Sequence, residues 1–119
     1  MSPTVLCYAL SDTRFAAVAA LCRTQGCTPR RVMEAEHAHP VGALLGFPVG
    51  NRSGSGAVLD EMLVLCGFTS DRLDEFLAAF SAQGVAGVAL KAVLTPSNAG
   101  WTGGELYMEL LRERQAMGR

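Results

Sequence analysis

No stretch of this chain approaches the roughly 20 consecutive apolar residues that cross a bilayer. The first residues, Met1-Ser2-Pro3-Thr4, lack the basic flank and the leader length of a secretory signal. A cytoplasmic protein with no membrane partner is expected. Charge is sparse as well: Asp, Glu, Lys and Arg make up 18 % of the residues, and the ten basic ones are scattered through a chain of formal net charge −1. Nucleic-acid binding needs a concentrated positive face, so nucleic acid is not expected as a partner.

Chemistry-bearing patterns are missing too. No nucleophile–base pair and no pair of carboxylates stands at catalytic spacing, so no catalytic residue is assigned. The four cysteines, Cys7, Cys22, Cys27 and Cys66, contain no Cys-x-x-Cys. In a reducing compartment they read as buried thiols, against the alternative of a Cys22–Cys27 redox couple. Glu36-His37-Ala38-His39 offers carboxylate and imidazole, but a third or fourth ligand at suitable spacing is absent, so no metal and no cofactor is expected. Asn51-Arg52-Ser53-Gly54-Ser55-Gly56 lacks the lysine and the preceding strand of a phosphate-binding P-loop and reads as a linker.

What is present is apolar: 50 % of the 119 residues. That is enough for one domain to bury a core without disulfides or metal, and it leaves an apolar surface that predicts a homodimer. Thr4 to Leu10 is a nearly unbroken apolar run of strand type, and Ser11-Asp12 caps a helix whose stripe is Phe15, Val18, Leu21 and Cys22, stopped by Gly26. Arg30 to Ala35 alternates weakly and carries charge, as an edge strand does. Val41 to Gly46 suits one or two helical turns with Val41, Leu44 and Leu45 inward.

The second half repeats the pattern. Glu61 to Phe68 is an apolar strand, Ser70-Asp71 a cap, and Leu73, Phe76, Leu77 and Phe80 a helical stripe ending at Gln83-Gly84. In that alignment Cys7 and Cys66 are equivalent, each five residues before its capping aspartate. A last strand, Val88 to Leu94, stops at Thr95-Pro96. Trp101-Thr102-Gly103-Gly104-Glu105-Leu106 then has the grammar of a helix start: Thr102 as N-cap, Glu105 closing a capping box, Trp101 and Leu106 as a hydrophobic staple.

The segment Lys91-Ala-Val-Leu-Thr-Pro-Ser-Asn, followed by Trp101-Thr102, Glu105-Leu106, Glu109-Leu110 and Glu113-Arg114, resembles the signature of a small bacterial family catalogued as domain of unknown function 3783. Val64-Leu65-Cys66-Gly67-Phe68-Thr69-Ser70-Asp71 is similar to that family's preceding strand and helix start, so the resemblance covers Glu61 to Arg114. It implies fold boundaries and no activity.

Two tandem βαβ units build either a ferredoxin-like sheet, in which the units interleave, or a doubly wound parallel α/β sheet. The apolar first and third strands suit the centre, and the charged second strand and Lys91 suit the edges. The expectation is therefore an α+β, ferredoxin-like four-stranded sheet with extra helices after strands two and four. Strands one and three are adjacent and antiparallel in it. It forms one domain over residues 1–119, with halves 1–46 and 59–119 and a flexible linker 47–58. For function the expectation is a non-catalytic regulatory or protein-interaction module. The alternative is a small-molecule or anion-binding domain or enzyme. It would use Thr95, Ser97, Asn98, Trp101 and Thr102 where the last strand leads into the last helix, with Gly103 and Gly104 giving access to backbone amides.

Overall fold

The computed structural model describes residues 3–49 and 57–117; the expected linker 51–56 lies outside them. Four strands form one mixed sheet: β1 (Thr4–Tyr8), β2 (Thr28–Val32), β3 (Met62–Cys66) and β4 (Leu90–Val93). Helix α1 (Asp12–Thr24) joins β1 to β2, α2 (Ser70–Ala82) joins β3 to β4, and α3 (Gly103–Met117) follows β4. Two 3-10 turns, Glu34–Glu36 and Gly42–Leu45, fall between β2 and β3.

The sheet order is β2-β1-β3-β4. β1 runs parallel to β2, with Thr4 opposite Thr28 and Tyr8 opposite Val32, and β3 runs parallel to β4, with Met62 opposite Leu90. The two pairs meet along one antiparallel seam where Leu6 faces Val64. The central, adjacent and antiparallel placing of β1 and β3 is as the sequence predicts. The interleaved ferredoxin-like order is not, because each βαβ unit keeps its own second strand beside its first. The short Gly26-Cys27 link delivers β2 beside β1, the usual result for consecutive elements. The wholly parallel alternative fails at the same seam.

Residues alternate faces along each strand. Val5, Cys7, Leu63 and Leu65 pack under α1 and α2 against Val18, Leu21, Phe76 and Phe80. Leu6, Tyr8, Met62 and Val64 pack on the other face against Val41, Leu106 and Tyr107, with Leu44, Leu45 and Trp101 beside them. The sheet therefore lies between two helical layers of one chain. α3 and the 3-10 turns give the second face the cover that strands this apolar require.

The two units correspond at a shift of 58 residues, not the 59 that aligns the cysteines. Ser11 caps α1 by accepting from the Arg14 amide, and Thr69 caps α2 by accepting from the Arg72 amide, so the second cap is Thr69 and not Ser70. Gln25 and Gln83 end the two helices, and Gly26 and Gly84 follow with φ of 71° and 69°, a left-handed turn suited to glycine. One residue of slip moves a strand side chain to the opposite face. Cys7 accordingly lies in the α1/α2 layer, while Cys66, one past Leu65, borders Phe47 and Leu94 on the far side.

The strand expected at Arg30 to Ala35 starts earlier, at Thr28, and ends at Val32. Pro29 is tolerated because β2 is an edge. The end of the expected 47–58 linker is anchored. Val58 is buried, Tyr107 donates its hydroxyl to Asp60 at 2.6 Å, and Glu61 takes both ends of the Arg14 guanidinium at 2.9 Å.

Candidate functional site

The stretch from Thr95 to Glu105 is knit by reciprocal bonds. Asn98 Oδ1 accepts from the Thr95 amide at 2.8 Å, Thr95 Oγ1 accepts from the Asn98 amide at 3.2 Å, and Asn98 Nδ2 donates to the Val93 carbonyl at 3.1 Å. Thr102 Oγ1 accepts from the Glu105 amide at 3.2 Å and Glu105 Oε1 from the Thr102 amide at 2.9 Å, the capping box read from the sequence. Trp101 and Leu106 share one apolar cluster. Asn98 is not in the left-handed region; its side-chain bonds, not its φ, hold the turn.

The two glycines of that helix start serve packing. A Cβ on Gly103 would stand 2.6 Å from Tyr8 Cε2 and 3.2 Å from the His37 carbonyl, and the Gly104 amide already donates to that carbonyl at 3.2 Å. The Gly104 amide is thus turned to one of the protein's own oxygens. Of the five candidate residues, Thr95 borders a cleft of about 410 Å³ with Phe47, Pro48, Cys66 and Leu94, at the carboxyl ends of β3 and β4. Ser97 is exposed, Asn98 and Trp101 are half-buried, and Thr102 is buried.

A second cleft, of about 480 Å³, opens at the carboxyl ends of β1 and β2. In open α/β sheets that end of a parallel pair is where ligands bind. Ala9, just past β1, has a φ of 60°, the one non-glycine among the described residues in the left-handed region. It turns the chain toward the Ser11 cap, so backbone strain coincides with the cleft floor. Leu10, Val32 and Val58 form its apolar walls, and Met33 and Leu59, 59 % and 77 % exposed, stand at its rim.

Polar side chains enter this cleft from two segments, Asp12 from the start of α1 and Arg31, Glu34 and His37 from the end of β2 and the turn after it. Arg31 is held by Asp12 at 2.7 Å and by the Leu10 carbonyl at 2.9 Å, with its guanidinium 5.4 Å from the Phe15 ring centre. Glu34, also of the lining, is exposed. His37, only 5 % exposed, accepts the Val58 N–H at Nδ1 at 3.1 Å and packs its ring 5.4 Å from that of Tyr8. Burial lowers its pKa, with Glu34 and Glu36 pulling the other way, so the ring is neutral at pH 7. Glu36 is held below the usual carboxylate range by the Met33 amide first and by Arg30 second.

His37 and His39 therefore do different work from the pair considered in the sequence. His37 is a structural pin between the 3-10 turn, the chain at Val58 and the start of α3. No group of three or more His, Cys, Asp or Glu among the described residues is placed to hold a metal. Cys7, Cys22, Cys27 and Cys66 are all free and buried. Desolvation raises all four thiols, Cys7 to about 12, the environment of inert structural cysteines. The sequence reading missed the cleft because its residues lie far apart in the chain. The available signal was His37 beside a charged edge strand.

No helix among the described residues is long and apolar enough to cross a membrane. Neither a curated protein nor a solved structure matches the chain. A family model does: residues 61–117, from the start of β3 through α3, match the domain of unknown function DUF3783, the family whose signature the Lys91 to Arg114 segment resembles.

Proposed function

We propose that the chain is a small non-catalytic regulatory or interaction module of the cytoplasm, and that it works by binding at the cleft where β1 and β2 end. The observation that carries this reading is the cleft itself. It combines apolar walls, a strained backbone turn at Ala9 and a buried histidine at the carboxyl end of a parallel strand pair. Inert thiols and a Thr95–Thr102 stretch whose polar groups bond one another favour binding over chemistry. The like build of the two βαβ units supports descent from a duplicated unit.

Self-association is part of this reading. Its support is the set of large apolar side chains left at the surface, Met33, Leu59, Val93, Met108 and Met117. Sedimentation equilibrium at micromolar concentration tests it; a monomer mass throughout removes it. The binding reading is tested by a thermal-shift and NMR screen of small ligands, since a ligand that binds only the folded state raises stability. Perturbed amides at Val32, Met33, Val58 and Leu59 support the cleft, and perturbations confined to Thr95–Asn98 return the site to the alternative loop.

A further inference from the structure

We infer that the cleft at the ends of β1 and β2 selects an uncharged small molecule with an apolar body and a carbonyl-type acceptor, and that the Nε2–H of His37 is the group that reads the acceptor. This deepens the binding reading above and rests on it.

The tautomer follows from the bonding. Nδ1 accepts the Val58 N–H at 3.1 Å, so in the neutral ring the proton sits on Nε2. Among the described residues no hydrogen bond is made at Nε2, and Nε2 is not one of the fully buried atoms, so on a ring that lines the cleft it stays within reach of a ligand. An acceptor entering the cleft therefore replaces water at this N–H. The ring is also held in place by Val58, by the Tyr8 ring and by the Gly104 amide on its own carbonyl. A donor fixed beforehand loses little freedom when a ligand arrives.

The charge of the ligand follows from the other ionisable groups that face the space. Among the described residues of the lining, Asp12 and Glu34 stand against Arg31 alone, and Arg31 is already engaged by Asp12 and by the Leu10 carbonyl. The lining is net negative, which disfavours a carboxylate or phosphate. Leu10, Val32 and Val58 provide the surface for an apolar body, and about 480 Å³ is the size of a small-molecule site. Glu34 is placed to accept an N–H of the same ligand, so a primary amide on a flat ring suits the cleft at both polar ends.

Benzamide and benzoate form a matched pair for the test, because they share shape and differ in charge. They are titrated into the ¹⁵N-labelled full chain while the backbone amides and the imidazole nitrogens are followed. The expected result is that benzamide shifts the Val32, Val58 and Leu59 amides together with His37 Nε2, and that benzoate binds ~10-fold more weakly. The exposed-site variant Glu34→Gln, which has no fold to disturb, should narrow that preference. His37→Phe should abolish the benzamide shifts; if it does not fold, Glu34→Gln decides. Benzoate binding in the cleft as well as benzamide overturns the ligand class and leaves the binding reading standing. No perturbation of cleft residues by either compound overturns both, as does a response confined to the cleft beside Cys66.

Discussion

Arg14 and Arg72 occupy the same position in their two βαβ units, three residues past the N-caps Ser11 and Thr69, and each reaches across to the other unit. Arg14 donates to the carbonyls of Ala86 and Gly87 as well as to Glu61, and Arg72 donates to those of Gln25 and Gly26. Arg72 therefore closes the turn that ends α1, Arg14 holds the loop between α2 and β4, and Gln83 adds a bond to Thr24 in the same strip. The clasp supplements the apolar contact between α1 and α2. Arg14→Ala should destabilise by about 2 kcal/mol, because it strands a half-buried carboxylate and two carbonyls. Arg72→Ala, which frees only exposed carbonyls, should cost less. Urea unfolding of both variants checks this, and equal losses would show that Glu61 contributes little.

The Thr95 to Glu105 stretch separates structural from ligand-facing roles. Asn98→Ala removes two side-chain hydrogen bonds and should cost 1–2 kcal/mol, roughly the sum of bonds of this kind after solvent exchange. Thr102→Ala should cost about 1 kcal/mol through the lost cap. Ser97→Ala should change little. Trp101→Ala should fall short of the ~3 kcal/mol of a fully buried aromatic, since the indole is only half-buried. Melting temperatures rank the four, and a silent Asn98→Ala would contradict the bonded turn.

Gly103→Ala tests the close packing of the start of α3 against Tyr8. The added methyl would press on Tyr8 Cε2 at 2.6 Å, at a position where helix propensity alone favours alanine. Overpacking of this kind should cost 1–3 kcal/mol. Gly87→Ala, whose Cβ meets nothing within 4 Å, is the control. A stabilised Gly103→Ala would show that Tyr8 moves aside freely.

Stability should fall at both ends of the pH scale. His37 and Glu36 have folded pKa values below their ordinary 6.5 and 4.5, His37 through burial and Glu36 through the Met33 amide. As pH drops below 6.5 the unfolded chain takes up the histidine proton first, so stability declines there and again below 4.5. On the alkaline side burial lifts Cys7 from 9.0 to about 12. The unfolded thiol loses its proton first, so stability declines between these values. Urea midpoints across the range check both arms, and a rise between pH 7 and 5 would contradict the neutral, buried His37.

The thiols give a fifth test. With all four cysteines buried and raised, a disulfide reagent in excess should label the native protein only at the rate of its opening. Rapid labelling of one thiol in native buffer would single out a cysteine more open than its burial implies.

Much of this fold was legible in the residues. The apolar runs from Val5 and Met62 mark the two central strands because only a strand covered on both faces tolerates so few polar positions. Thr102 and Glu105 announce the start of α3 because a capping box is local. Whether the two units interleave was not legible, since both arrangements put the same strands at the centre and edges. The likeness of the two βαβ units was legible, but the register between them was not. Thr69, Ser70 and Asp71 are all good caps, and choosing one residue late carried Cys66 to the wrong face. The cleft was least legible. Its floor is a backbone angle at Ala9, and its histidine gains meaning only when Val58 arrives from the other side of the chain.

The antiparallel seam between β1 and β3 has a practical consequence. It points the two parallel pairs in opposite directions, so the His37 cleft and the Cys66 cleft lie at opposite ends of the sheet, about 17 Å apart for strands of five residues. A fluorophore or spin label attached near Thr95 would sit clear of a compound resting on His37 while joined to it through a stiff sheet. A label there would report on the proposed binding cleft without obstructing it.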